Sequence, residues 1–132
     1  MTLIACIDDR GGISFDSKRQ SRDRVLCQRL LSRIEGHSLR TSPYSARLFG
    51  EEKGISVTED FVFAPEDLYF WEDGPFPEEK PDRIILYHWN RRYPADRYFP
   101  AELLKDYRLV SREEFVGSSH KKITEEIYEV AV

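Results

Sequence analysis

The chain has 132 residues, a length that suits one hydrophobic core, so we expect a single domain over residues 1–132. Hydrophobic residues make up 40% and aromatic residues 13%, which excludes a globally disordered chain. The formal net charge of −4, from 20 Lys and Arg against 24 Asp and Glu, argues against a generally basic nucleic-acid-binding surface.

An apolar segment from Thr2 to Ile7 predicts a central β-strand that ends at Asp9-Arg10-Gly11-Gly12. The segment lacks a basic leader and is too short for a signal peptide or a membrane helix. Cys6 lies in this strand and Cys27 in the next helical pattern, and their spacing is not typical of a disulfide framework or a metal site. We therefore expect two reduced thiols in a cytoplasmic protein that does not contact a membrane.

A polar loop is expected from Ser14 to Gln20, and apolar residues then recur at helical spacing. Ser21 is the predicted N-cap of this helix, because its hydroxyl can accept a hydrogen bond from the first turn. Asp23 complements the positive N-terminal end of the helix, and Gly36 is the predicted stop.

The middle third predicts a short strand at Ser38 to Thr41, followed by a short helix. Ser42 is its expected N-cap, Pro43 occupies its first turn, and Gly50 closes it. Two further segments, Ile55 to Thr58 and Phe61 to Phe63, are strand-like by composition, and Leu68 to Trp71 is an aromatic run. The acidic, proline-rich segment from Glu72 to Asp82 predicts no regular structure, and the conformation of residues 59–82 stays open.

Regular structure is predicted again from Arg83 to Trp89, whose apolar centre is typical of a buried strand. A loop from Asn90 to Pro100 follows. Two segments, Tyr107 to Phe115 and Lys122 to Val130, predict a terminal hairpin, because they flank a short turn from Val116 to His120.

This order of elements resembles the dihydrofolate reductase fold, and local sequence supports the resemblance. Leu3-Ile4-Ala5 followed by Gly12-Ile13 is similar to the family's first strand and the mobile active-site loop after it. Asp82 to Tyr87, followed by Asp96-Arg97-Tyr98-Phe99-Pro100, is similar to the strand that leads to a Gly-Asp-Thr-x-Phe-Pro motif. The resemblance implies an α/β fold with a mixed, mainly parallel sheet flanked by helices and an antiparallel C-terminal hairpin.

The resemblance also places Asp23 where the family carries the acidic residue that binds the pterin ring. A carboxylate suits an amidine-like ring edge, because two parallel charge-assisted hydrogen bonds fix its orientation. Asp23 is thus the candidate catalytic or ligand-binding residue. The alternative is that Asp23, in the first helical turn, only stabilises the helix through its dipole. Ile13 and Arg19, in the loop after the first strand, are expected to border the same cleft.

Several residues depart from the family pattern where it binds NADPH. Ser42, Pro43 and Ser45 align with the family's Gly-Arg-x-Thr phosphate grip, and Pro43 supplies neither charge nor an N–H donor. Ser42 and Ser45 are retained as candidate ligand-binding residues. The family's glycine pair before a helix is replaced by Trp71-Glu72-Asp73-Gly74-Pro75, whose carboxylates repel a pyrophosphate. We therefore expect no bound cofactor, with NADPH as the alternative.

Arg97 stands where the resemblance implies a threonine that hydrogen-bonds the substrate-binding acid. We expect Arg97 to form an ion pair with Asp23 and to occupy the place of the pterin edge. Two further sets of residues, one basic and one aromatic, are interpreted either as parts of a ligand site or as ordinary surface and core residues. The basic residues are Lys18, Arg19, Arg22, Arg24, Arg91, Arg92 and Arg97, and the aromatic residues are Tyr87, Trp89, Tyr93, Tyr98 and Phe99.

The sequence carries no recognisable hydrolase or metal motif. His37, His88 and His120 lack zinc-ligand spacing, and no Gly-x-Ser-x-Gly or P-loop is present. Ser118-Ser119-His120 is interpreted as a hairpin turn in preference to a catalytic pair. The first functional hypothesis is therefore a non-catalytic or regulatory module that binds a small planar or anionic ligand near Asp23 and Arg97. The alternatives are an NADPH-dependent reductase of a pterin or folate-like substrate, and a protein-interaction module whose oligomeric state is open.

Overall fold

The computed structural model describes residues 1–131. Its strands are β1 (Thr2–Ile7), β2 (Gly12–Phe15), β3 (Lys18–Arg19), β4 (Leu39–Thr41), β5 (Ile55–Val57), β6 (Leu68–Phe70), β7 (Arg83–His88), β8 (Arg97–Tyr98), β9 (Tyr107–Phe115) and β10 (Ile123–Val130). Its helices are α1 (Arg24–Ser32), α2 (Pro43–Phe49) and a 3-10 helix at Ala101–Asp106.

The main sheet has seven strands in the order β5-β4-β6-β1-β7-β10-β9. Strand β1 pairs in parallel with β6 and β7, whereas β10 runs antiparallel to β7 and β9. This arrangement confirms the predicted mixed, mainly parallel sheet with an antiparallel C-terminal hairpin. Strands β3, β2 and β8 form a separate small antiparallel sheet.

Two apolar layers cover the two faces of the main sheet. Side chains alternate along a strand, so Ile4 packs with Leu26 and Leu30 of α1, whereas Leu3 and Ala5 belong to the other layer. All five of these side chains are fully buried or nearly so. Burial of each large one stabilises the fold by about 1.5–3 kcal/mol, which fixes α1 against the sheet.

The helix start differs from the prediction by two residues. Ser21 is not the N-cap, because Asp23 has extended backbone angles and its carboxylate accepts hydrogen bonds from the N–H groups of Val25 and Leu26. The helix ends at Ser32, earlier than predicted, and Gly36 lies in the following turn with a φ of +85°. An Asp at the N-cap stabilises the helix much as a Ser would, so the two residues were equivalent candidates.

Two predictions about loops and strands are wrong. The segment from Ser14 to Gln20 contains a hairpin of β2 and β3, because β2 also pairs with β8 and gains cross-strand hydrogen bonds there. The segment from Phe61 to Phe63 forms no strand. Its backbone turns at Phe61, which has a φ of +53° and donates its N–H to the Thr58 hydroxyl. The helix capped by Ser42 and closed by Gly50 is confirmed.

None of the helices within residues 1–131 combines the length and the apolar character that a membrane crossing requires. Both cysteines are free and half-buried, which agrees with the expectation of unpaired thiols.

Candidate functional site

Asp23 joins the start of α1 to the turn between β9 and β10. Its Oδ1 accepts the N–H of Ser118 at 3.0 Å, and its Oδ2 accepts the N–H of Ser119 at 2.8 Å. The same carboxylate caps α1, and only 2% of the residue is exposed. We call this arrangement of Asp23 with residues 117–120 the Asp23 anchor.

The anchor holds the Asp23 carboxylate in its ionised form. Burial by itself raises the pKa of Asp23, but hydrogen bonds from the N–H groups of Ser119 and Ser118 and from the His120 ring outweigh burial and lower the pKa. Within residues 1–131, no arginine or lysine side chain donates a hydrogen bond to this carboxylate. A carboxylate held by neutral N–H donors keeps its charge without using a cation.

His120 extends the anchor into the core. Its Nδ1 lies 3.1 Å from Oδ2 of Asp23, and its ring stacks on Trp89 with centroids 4.6 Å apart. Only 5% of His120 is exposed. Because an ionised carboxylate accepts and cannot donate, Nδ1 carries the proton in this contact.

Two open clefts flank the anchor. The first, which we call the Asp23 cleft, has a volume of about 420 Å³ and is lined by Arg22, Asp23, Arg24, Cys27, Leu48, Ser118 and Ser119. The second has a volume of about 590 Å³ and is lined by Trp89, Asn90, Arg91, Ser119, His120, Lys121 and Lys122. Ser119 borders both clefts, and each cleft carries basic side chains at its rim.

The space beneath α1 is closed. A cavity of only about 10 Å³ remains between α1, β1 and β6, roughly the room for one water molecule. It is lined by Cys6, Ser21, Arg22, Asp23, Leu26, Cys27, Leu30, Leu48, Phe70, Glu72 and Trp89.

A polar network built on Glu72 fills the region next to this cavity. Arg19 donates to both carboxylate oxygens of Glu72 at 2.9 and 2.8 Å, and the Ser45 hydroxyl donates to Oε1 at 2.8 Å. Ser42 donates to Asp73 at 2.5 Å. We call these contacts the Glu72 bridge. Three predicted site residues, Arg19, Ser42 and Ser45, are thus brought together, and each is bound to an acidic side chain of the same chain.

The predicted ion pair between Asp23 and Arg97 is wrong. Arg97 donates to the backbone carbonyls of Glu72 and Gly74, and its guanidinium lies 5.0 Å from the Trp71 ring centroid. Asp23 is satisfied by the anchor instead. The physical reason is that β8 positions Arg97 next to the loop after β6, where carbonyls and an aromatic face satisfy the cation. Ile13, also a predicted site residue, is 4% exposed and packs in the core layer that contains Leu3.

Ser118, Ser119 and His120 were interpreted from the sequence as a hairpin turn, and their contacts with Asp23 were not predicted. A histidine next to serines in a hairpin turn, together with an acid at a helix start, is the signal that could have indicated the anchor. Glu125 was not predicted either; it is fully buried and receives hydrogen bonds from Arg29, Arg33 and the Tyr87 hydroxyl. Burial raises the pKa of Glu125, but the hydrogen bonds from Arg33 and Arg29 outweigh it, so the pKa is lowered.

The ambiguous aromatic residues divide between core and surface. Tyr87, Trp89 and Phe99 are buried, so packing accounts for them, whereas Tyr98 is 48% exposed. Within residues 1–131, no group of three or more His, Cys, Asp or Glu side chains is placed to hold a metal ion.

No protein-family model and no curated protein matches the sequence. Among solved structures, the chain is similar to a dihydrofolate reductase from Enterococcus faecalis complexed with NADP(H) and RAB-propyl. The two share 10% sequence identity with a TM-score of 0.69, over 99% of this chain and 96% of the other. At this identity the similarity shows the fold alone, and that fold is the one implied by the sequence resemblance.

Proposed function

We propose that this chain is a single-domain, cytoplasmic module that binds a small anionic ligand in the Asp23 cleft and does not carry out NADPH-dependent reduction. The observation that carries the proposal is the contrast between this open cleft of about 420 Å³ and the closed space of about 10 Å³ beneath α1. Ligand sites are concave and combine apolar walls with a few placed polar groups. Leu48 and Cys27 supply apolar wall in the Asp23 cleft, while the serines supply polar groups.

The charges at the rim of the cleft favour an anion. Arg22 and Arg24 are both exposed, and within residues 1–131 neither lies in an ion pair. The ionised Asp23 carboxylate lines the same cleft and offsets part of their charge, but the two arginines outnumber it, so the cleft keeps a net positive charge. Two guanidinium groups with free donors suit a phosphate or a carboxylate, which they bind in a bidentate manner.

The Glu72 bridge supports the absence of NADPH chemistry. The dihydrofolate reductase of similar fold binds NADP(H), an anionic dinucleotide. In this chain Glu72 and Asp73 place two carboxylates beside Ser45 and Ser42, and Arg19 is held by Glu72. A pyrophosphate near these residues would meet negative charge and would have to break an existing bidentate ion pair.

Ligand binding to the purified chain tests the proposal. Thermal-shift and calorimetric titrations would use inorganic phosphate, citrate, nucleoside monophosphates, pterin, dihydrofolate and NADPH. A ligand at 100 times its dissociation constant stabilises the folded state by about 2.7 kcal/mol. We expect stabilisation by phosphate- or carboxylate-bearing compounds and none by NADPH.

Paired variants locate the site. Arg22→Gln with Arg24→Gln should abolish the stabilisation, because both rim cations are removed. The matched control is Lys105→Gln with Arg108→Gln, which removes two exposed cations that line neither cleft and should leave binding intact. NADPH-dependent turnover would instead support a reductase. If no compound stabilises the chain, a protein-interaction module is favoured and the proposal is contradicted.

A further inference from the structure

A hydrogen-bonded chain of side chains runs from Asp23 through His120 to Ser21. The Nδ1 of His120 lies 3.1 Å from Oδ2 of Asp23, and its Nε2 lies 3.3 Å from Oγ of Ser21. Since Nδ1 donates a hydrogen bond to the ionised Asp23, Nε2 is the ring nitrogen that faces the Ser21 hydroxyl, beside the hydroxyl of Tyr93. This is the arrangement in which a histidine removes a proton from a serine and a carboxylate fixes the tautomer.

The histidine ring is held in one orientation. Its stacking on Trp89 leaves the ring plane fixed, and the Tyr93 hydroxyl lies 2.8 Å from Nε2 as a second donor. The turn that carries His120 is itself fixed by the bonds from Ser118 and Ser119 to Asp23. A general base held this rigidly needs little reorganisation to accept a proton.

Ser21 is half-buried and precedes α1 in the loop after β3. It borders the small cavity beneath α1 and lines neither open cleft. Four residues, Arg22, Asp23, Cys27 and Leu48, line both this cavity and the Asp23 cleft. A ligand in the cleft must therefore extend past these shared residues to reach Ser21.

We propose that Ser21 is a nucleophile for small esters that carry an anionic group, with His120 as its general base and Asp23 as the residue that positions His120. Ser21 Oγ attacks the ester carbonyl carbon while its proton passes to Nε2 of His120. Cleavage of the ester C–O bond releases the alcohol, which takes that proton, and leaves an acyl group on Ser21. Water then attacks the acyl carbon, passes a proton through His120 to Ser21 Oγ, and releases the acid.

The charge around the site sets the substrate class. Arg22 and Arg24 line the Asp23 cleft, and Arg91, Lys121 and Lys122 line the cleft on the other side of Ser119. Basic rims attract anionic substrates and raise their local concentration. An acyl chain that ends in a carboxylate therefore suits the site better than a neutral chain of equal length. The inference rests on the proposed anion-binding cleft and adds a chemical step to it.

Covalent labelling of the full chain tests the nucleophile directly. A fluorophosphonate probe would be incubated with the wild-type protein, and the modified residue located by peptide mass spectrometry. We expect one label, on Ser21. The competing nucleophile in the cleft is Cys27, and burial raises the pKa of its thiol, so it stays protonated at neutral pH. A label on another residue, or no label on the folded chain, would overturn the inference.

Ester hydrolysis tests the roles and the charge preference. The substrates would be 4-nitrophenyl hemisuccinate and neutral 4-nitrophenyl butyrate, and we expect kcat/KM to favour the anionic ester about 10-fold. Ser21→Ala and His120→Gln should each lower turnover about 100-fold or more. Ser32→Ala, which removes an exposed serine hydroxyl on α1, should stay within about threefold of wild type.

These experiments distinguish a failure of the proposed anion binding from a failure of the proposed nucleophile. If phosphate or citrate stabilises wild type and Ser21→Ala equally while neither hydrolyses the ester, the anion-binding function stands and the nucleophile is refuted. If no anion stabilises the chain, the proposed function fails on its own. Hydrolysis that survives in Ser21→Ala refutes the nucleophile even where His120→Gln does not fold.

Discussion

The Asp23 anchor and the Glu72 bridge both bury a carboxylate, but they satisfy it with different partners. Asp23, which is 2% exposed, receives N–H groups from α1 and from the turn between β9 and β10. Glu72, which is 7% exposed, receives the guanidinium of Arg19 and the hydroxyl of Ser45. Asp23 lines both the open Asp23 cleft and the small cavity beneath α1, whereas Glu72 lines the small cavity and neither cleft.

This difference shows how partner type decides what a buried acid does. In an ion pair each charge offsets the other, so Glu72 leaves Arg19 unavailable to an anionic ligand, and the pair fills space like a packed side chain. Neutral donors satisfy the Asp23 carboxylate without using a cation, so Arg22 and Arg24 stay available. A buried acid therefore occupies an arginine at Glu72 but leaves both arginines of the cleft without an ion pair at Asp23, within residues 1–131.

The largest expected effect comes from removal of the anchor. Asp23→Ala leaves the N–H groups of Val25, Leu26, Ser118 and Ser119 without their acceptor, and the free energy of unfolding should fall by about 4 kcal/mol. Chemical denaturation measures the change. Asp23→Asn keeps one acceptor oxygen and should lose about half as much. A loss below about 1 kcal/mol for the alanine variant would show that the anchor does not hold the turn.

Removal of one side of the bridge should have the next largest effect. Glu72→Ala leaves Arg19, whose side chain is 17% exposed, without its partner, and we expect a loss of about 3 kcal/mol. The double variant Arg19→Met with Glu72→Leu replaces the pair by apolar groups and should return to within about 1 kcal/mol of wild type. Chemical denaturation gives the free energy of unfolding of the wild type, Glu72→Ala and the double variant. If the double variant is as unstable as Glu72→Ala, the bridge does not behave as space-filling structure.

The sequence predicted the fold well because its signals are local and periodic. The apolar run from Thr2 to Ile7, the pattern of α1, and the cap formed by Ser42 and Pro43 each depend on neighbouring residues. The terminal hairpin is equally visible, since two strand segments flank one short turn. The small sheet was missed because β2 gains its partner from β8, which lies about 80 residues later.

The sites were harder to predict because they depend on contacts between distant segments. Asp23 was identified as important, but its partners lie more than 90 residues away in the turn before β10. Arg97 was expected at Asp23 because the resemblance aligned it there, and the register of β8 instead directs it to the loop after β6. A single sequence gives the residue types of a site, while the register of the strands decides which residues meet.

Gly117 offers a smaller and more selective change to the anchor. A methyl group at this position would meet the Asp23 carboxylate and would lie 2.9 Å from the Ile123 side chain. Gly117→Ala should therefore cost about 2 kcal/mol through crowding and should weaken anion binding in the Asp23 cleft as well. The control is Gly36→Ala, which meets no neighbour within 4 Å and costs about 1 kcal/mol through its φ of +85° alone. Calorimetric titration should show normal binding for the control, and equal binding by both variants would mean that the anchor does not shape the cleft.

The smallest expected effect on stability is the acid dependence of the anchor. The pKa of Asp23 is lower in the folded chain than in the unfolded chain, so its stabilisation is complete above the unfolded value of about 4 and is lost as the pH falls toward the folded pKa. Between pH 4 and pH 3 the loss is about 1 kcal/mol. Asp23→Asn cannot titrate, so the gap in unfolding free energy between wild type and this variant should narrow over that interval. Glu125 titrates in both proteins and cancels from the difference. A gap that stays constant down to pH 3 would show that the turn is held by contacts other than the charge on Asp23.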